Sequence, residues 1–159
     1  MQSLNIGKRN VAQAWLQGWE RELNKTWANQ EKVKWYINIY SKQVAHYETI
    51  AQELDTLHAQ NPTETLLILC FSEYNENSQR WDTRRIACHS VRDALETYDA
   101  LSITAQKHYH FTTGILELRS REEERCIKEL QNQIDEYERR LNNLKGEFDI
   151  LTKGEEDEY

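Results

Sequence analysis

Between Ile127 and Leu151 the apolar residues Ile127, Leu130, Ile134, Tyr137, Leu141, Leu144, Phe148 and Leu151 recur in unbroken steps of three and four. That is a heptad, with Ile127, Ile134, Leu141 and Phe148 at position a and the other four at d. A helix over this span is about 37 Å long at roughly 1.5 Å per residue. Its apolar stripe is narrow, because the e and g positions carry Gln131, Gln133, Glu138, Arg140, Lys145 and Glu147. A stripe confined to a and d suits a coiled-coil seam and not a helix sunk into a globular core. The chain must therefore supply a partner for this face, either from itself or from another molecule.

Parallel self-pairing gains nothing from the flanking charges. Each g residue would face the e residue five positions on in the second copy, so Gln133 meets Glu138 and Arg140 meets Lys145, a repulsive pair. An antiparallel arrangement is favoured, against the first long helix of the same chain or against a second copy.

The rest of the chain has enough apolar material for a packed core. A length of 159 residues suits a single domain, which can bury roughly 70% of its unfolded surface. Five Trp and eight Tyr exclude a disordered chain. A net charge of −7 argues against a broad phosphate-binding face. Cys70, Cys88 and Cys126 are odd in number and form no CxxC pair. With no signal-peptide core, this composition points to a reduced, cytoplasmic protein. The longest apolar run, Leu66 to Phe71, is too short to cross a bilayer, so no membrane association is expected.

No glycine or proline falls between Gly18 and Pro62, so helix is expected there. Val33, Tyr40, Tyr47 and Leu54 repeat every seven residues, with Tyr36, Ile50 and Leu57 at d and Ile37, Val44 and Ala51 at e. This a/d/e face is wide enough to touch more than one neighbour. Asn24 to Lys32 interrupts it with polar residues, which predicts two helices over 9–23 and 31–59. Thr65 to Glu73 and Arg80 to His89, separated by an Asn/Ser cluster, predict a hairpin. Ser90-Val91-Arg92-Asp93 has the form of a capping box for a short helix. His108 to Thr113 alternates aromatic and polar residues, which predicts a third strand ending at Gly114. The sheet would then comprise 65–73, 83–89 and 108–113, in the order β-β-α-β. The rival is an all-α three-helix bundle, favoured by the lack of glycine and proline from 63 to 113.

The candidate binding residues fall into four groups. The first is the seam itself, above all Ile134, Tyr137, Leu141, Leu144 and Phe148. The second is a set of tryptophans. Trp15 and Trp19 share a helix face and are expected in the core, whereas Trp27 and Trp35 fall at b and c, off the apolar face, and are interface candidates. The third is Arg80, Arg84, Arg85 and Arg92 around Trp81, a pattern capable of touching nucleic acid but diluted by Glu73, Glu76, Asp82, Asp93 and Glu96. Ion pairing on a solvated face accounts for it more simply. The fourth is Cys70 and Cys88, nearly opposite on a hairpin turning at 77–79, with His108 and His110 on one strand face. Zinc accepts such ligands, yet no close-spaced chelating pair exists and lone cysteines are usually small buried hydrophobes. No metal and no cofactor is expected. No nucleophile–base set or phosphate-binding glycine loop is present, so no catalytic residue is expected either.

Together these features predict a helix-dominated α+β chain (1–159), with two long helices forming an antiparallel coiled-coil-like stalk around a small β-β-α-β unit. Its parts would be N-terminal helices at 9–59, a mixed unit at 63–114, a coiled-coil helix at 115–153 and an acidic tail at 154–159. The expected role is non-enzymatic: a protein interaction or assembly protein, homodimeric or bound to another protein. A second role is regulation of nucleic-acid machinery, through the arginine-bearing hairpin or by acidic mimicry.

Overall fold

A computed structural model describes residues 3–25, 29–106 and 114–157. Among these, the chain is helix-dominated α+β, with four helices and a four-stranded antiparallel sheet. In chain order the elements are β1 (Leu4–Asn5), α1 (Ile6–Glu22), α2 (Gln30–Gln60), β2 (Thr65–Asn75), β3 (Arg80–Cys88), α3 (Val91–Gln106), β4 (Ile115–Ser120) and α4 (Arg121–Asp157). They fall into two compact units, 1–120 and 121–159.

The expected break in the first long helix is present, between Glu22 and Gln30. Two asparagines start the helices on either side of it. Asn5 Oδ1 accepts from the backbone N–H of Lys8 at 3.0 Å, and Asn29 Oδ1 accepts from that of Lys32 at 3.2 Å. Each satisfies a donor that has no partner within the first helical turn. α1 and the first half of α2 pack as an antiparallel pair, because Trp19 stacks on Tyr36 while Trp15 stacks on Tyr40. The second half of α2 carries Ile50 and Leu54 into the sheet core.

The sheet has the order β1-β4-β2-β3. Leu67, Leu69 and Phe71 alternate on one face of the central strand β2. They join Leu4, Leu116, Leu118 and Cys88 from the other strands, Ile50 and Leu54 from α2, and Val91 and Ala94 from α3. β3 and β4 both run antiparallel to β2 and hence parallel to each other. Parallel strands need a crossover connection, and α3 supplies it.

The hairpin turns through residues 76–79, where Asn75 Oδ1 accepts from the backbone N–H groups of Asn77 and Ser78 and Gln79 takes φ 54°. An Asx turn of this kind is what an Asn-rich cluster favours. Ser90 caps α3 as its sequence suggests, accepting from the Asp93 N–H at 3.1 Å, while Asp93 reaches back to the N–H of His89 at 2.9 Å. A further acceptor comes from far along the chain: Asp55 on α2 takes the N–H of Val91 at 2.9 Å. Asp55→Ala would leave that donor without its partner and is expected to cost about 1–2 kcal/mol, whereas Asp55→Asn, which keeps an acceptor oxygen, should cost less. Urea unfolding of the two variants checks this.

One strand assignment differs from expectation. The third long strand is β4 at Ile115–Ser120, so the C-terminal helix starts at Arg121 and not at 115; the expected strand at 108–113 lies outside the described residues. β4 pairs with β2 from Thr65↔Ser120 to Cys70↔Ile115, and this pairing overrides a local pattern that equally suits a helix. Gly114 precedes β4 and needs to be glycine. A Cβ there would lie 2.8 Å from a Tyr98 ring carbon and 2.9 Å from Leu69 Cδ1, and its carbonyl accepts from the Ile6 N–H at 2.9 Å.

Candidate interaction surfaces

The stripe singled out by the heptad lies on α4, a unit by itself. Leu130, Ile134, Tyr137, Leu141, Leu144, Phe148 and Leu151 are between 49% and 68% exposed. Along the polar faces the helix is held by its own ion pairs. Arg125 binds Glu122 at 2.7 Å and Glu129 at 2.6 Å, and Glu136 accepts from Arg139 at 2.7 Å and from Arg140 at 3.1 Å. Hydrogen bonds from Arg125 and Arg139 lower the carboxyl pKa values of Glu122 and Glu136, respectively. Such pairs, three and four residues apart, support a helix by a few tenths of a kcal/mol each. They support α4 as a helix, and its apolar stripe is exposed.

A second surface runs along the α1–α2 pair. Trp19 and Tyr36 stack with centroids 4.4 Å apart, Trp15 and Tyr40 at 6.0 Å, and Trp35 meets Tyr36 edge-on at 4.9 Å. Trp35, the off-face candidate, is 59% exposed; its companion candidate Trp27 lies outside the described residues. Trp15 is a correction to the core position that its spacing predicts. It is 53% exposed while stacked on Tyr40. Trp19 is half-buried, with its indole N–H buried and without a hydrogen-bond partner among the described residues.

The arginines do not form one patch. Register places Arg80 and Arg84 on the face of β3 shared with Cys88, and Arg85 on the opposite face with Trp81. Arg84 pairs with Glu73 at 3.3 Å, Arg92 with Glu96 at 3.3 Å, and Arg85 donates to Cys70 Sγ at 3.8 Å. β3 is an outer strand of the sheet, and charged residues along an outer strand oppose edge-to-edge pairing with other chains.

The cysteines are separated as well. Cys88 pairs with Leu67 and Cys70 with Arg85, three steps apart along β2, so the two thiols project from opposite sheet faces. This corrects the near-opposite placement expected from the turn, since a three-residue offset reverses the face. His108 and His110 lie outside the described residues. Among the described residues no group of His, Cys, Asp and Glu is placed to hold a metal.

Burial of Cys88, helped by the charge of Asp93, pushes its thiol up to about 11 from 9.0, whereas Cys126 is exposed. Iodoacetamide at neutral pH should therefore modify Cys126 first and Cys88 last, as read by peptide mass spectrometry. The raised value also has a stability consequence. In the unfolded chain the thiol ionises near pH 9, but in the folded one only near pH 11, so Cys88's contribution to stability falls as pH rises through that window. A Cys88→Ser variant should show a weaker alkaline decline.

Among the described residues no helix is long and apolar enough to cross a membrane. Comparison with protein-family models, curated proteins and solved structures gives no match.

Proposed function

We propose that this protein is a non-enzymatic interaction or assembly protein. It acts by presenting the apolar stripe of α4, with the exposed aromatics of α1 and α2 as a second contact, to another protein chain or to its own copy. The observation that carries this reading is the seven-residue stripe from Leu130 to Leu151, 49–68% exposed on a helix that is itself a compact unit. A continuous apolar row of this length on a charged helix is costly to leave in water, and burying it is the ordinary driving force of helix association. Trp35 and Trp15 add large, rigid apolar area, the residue type that dominates binding energy at protein interfaces. Three cysteines in no disulfide support action in a reducing compartment, the cytoplasm.

Regulation of nucleic-acid machinery is the weaker reading, because the hairpin arginines are divided between two faces and Arg84 and Arg92 are occupied by carboxylates. The test is a pull-down from source-cell extract with and without nuclease, with wild type and the Leu141→Asp/Leu144→Asp variant as parallel baits. Proteins retained by wild type and lost from the variant support the proposal. Identical capture by both baits overturns it, and binding that disappears only with nuclease favours the nucleic-acid reading.

A further inference from the structure

We infer that α4 pairs with α4 of a second copy, antiparallel and in one register, with the twofold axis beside Arg139. This rests on the reading of α4 as an interaction face and names the occupant of that face. Reversing one helix sets each a residue against a d residue of the other chain. One register uses every residue of the stripe. In it, with a prime marking the second copy, Ile127 faces Leu151′, Ile134 faces Leu144′, Leu141 faces Tyr137′ and Phe148 faces Leu130′. The twofold axis repeats each contact, so no a or d position from 127 to 151 is left over. Both aromatics meet a leucine, which alternates large and small side chains across the seam. Parallel pairing would instead set Tyr137 on Tyr137′ and Phe148 on Phe148′.

Charge selects the same register. In an antiparallel pair, e residues flank e′ residues and g residues flank g′ residues. Here Glu138 falls beside Lys145′, and Lys145 beside Glu138′, while Arg140 falls beside the neutral Gln133′. Sliding one chain by a heptad in one direction sets Glu138 on Glu138′. Sliding it in the other direction sets Lys145 on Lys145′ and Arg140 on Arg140′. The parallel dimer sets Arg140 on Lys145′. Of these arrangements, the full-overlap antiparallel register is the one that sets Glu138 against Lys145′. The intrahelical pairs among Glu122, Arg125, Glu129, Glu136 and Arg139 lie on the helix's outer positions.

Sedimentation equilibrium of the full chain, with Lys145→Glu and Glu138→Lys/Lys145→Glu beside wild type, tests this. Wild type should dimerise. Lys145→Glu replaces two attractive contacts by two repulsive ones and should weaken the dimer about tenfold, and the double exchange should recover most of that loss. The double variant carries the same change at 145 relative to Asp149 on its own helix, so its recovery isolates the contact between chains. A parallel dimer behaves oppositely, because the carboxylate introduced at position 145 would lie beside Arg140′ and tighten it. In a second arm, Glu147→Cys should cross-link to the native Cys126 of the second copy with a short bismaleimide. Residues 126 and 147 are roughly 32 Å apart along one helix, at 1.5 Å per residue, so a link between them reports antiparallel pairing.

A monomeric wild type, a dimer unchanged or tightened by Lys145→Glu, or absence of the 126–147 link would each overturn the inference. A monomer whose extract partners still depend on Leu141 and Leu144 overturns self-pairing alone. Identical capture by wild type and the Leu141→Asp/Leu144→Asp bait removes the underlying reading as well.

Discussion

Leu141→Asp/Leu144→Asp is expected to halve the mass of the assembly while leaving the 1–120 unit folded. Both leucines lie mid-stripe on α4 and are 52% and 61% exposed in the single chain. In the assembled seam each Asp would be a buried, unpaired ion, which costs several kcal/mol. By symmetry four such charges enter one dimer, a total comparable with the whole stability of a typical domain, about 5–15 kcal/mol. The core of unit 1 draws on β1, α1, α2, α3 and the strands. Light scattering should therefore report a monomer, while the near-ultraviolet circular dichroism of the tryptophans in unit 1 is retained. A variant that becomes molten throughout would show that the stripe packs inside the chain. A variant unchanged in mass and in melting temperature would show that the stripe stays in water, and the interaction role would fail with it.

Leu69→Ala should have the largest effect on unit 1. Leu69 is fully buried at the centre of the sheet, paired with Ile86 on β3 and Leu116 on β4, and it lies against the site where Gly114 lacks a side chain. Truncation removes buried methyl groups and leaves a cavity between strands and helices that cannot readily collapse, an expected loss of about 3–5 kcal/mol. Gly114→Ala should be destabilising for the opposite reason, since its methyl would press on both Tyr98 and Leu69. The two changes share one space, so the double variant should cost less than the sum of the single ones. Urea unfolding of the three variants, followed by tryptophan fluorescence, checks both the size and the non-additivity. Strict additivity would mean that Leu69 and Gly114 do not meet in solution.

Much of the architecture is written locally. The heptad of α4 is visible in residue spacing alone, because a 3.5-residue apolar repeat sustained over 25 residues suits a helix and nothing else. The break between α1 and α2 follows from polar residues on the apolar side, and the β2–β3 hairpin from two apolar runs around an Asn/Ser turn. The start of α3 follows from Ser90 and Asp93, whose side chains bond within four residues of themselves.

What the sequence left open depends on distant partners. Ile115, Leu116 and Leu118 fit a helix or a strand equally well, and their pairing with β2 decides for the strand. β1 has two residues, too few for any period, and exists because Leu4 and Asn5 lie beside Leu116 and Ile115. The faces of Cys70 and Cys88 depend on hairpin register, where a single-residue slip reverses every side chain. Trp15 has a core-like position in the helical pattern, but its exposure is set by how α1 crosses α2. Residue spacing alone determined the long helices and the apolar stripe on α4, because those depend on neighbours three and four residues apart. Only tertiary structure decided strand identity, sheet faces and which tryptophans meet water, because those depend on contacts between residues tens of positions apart.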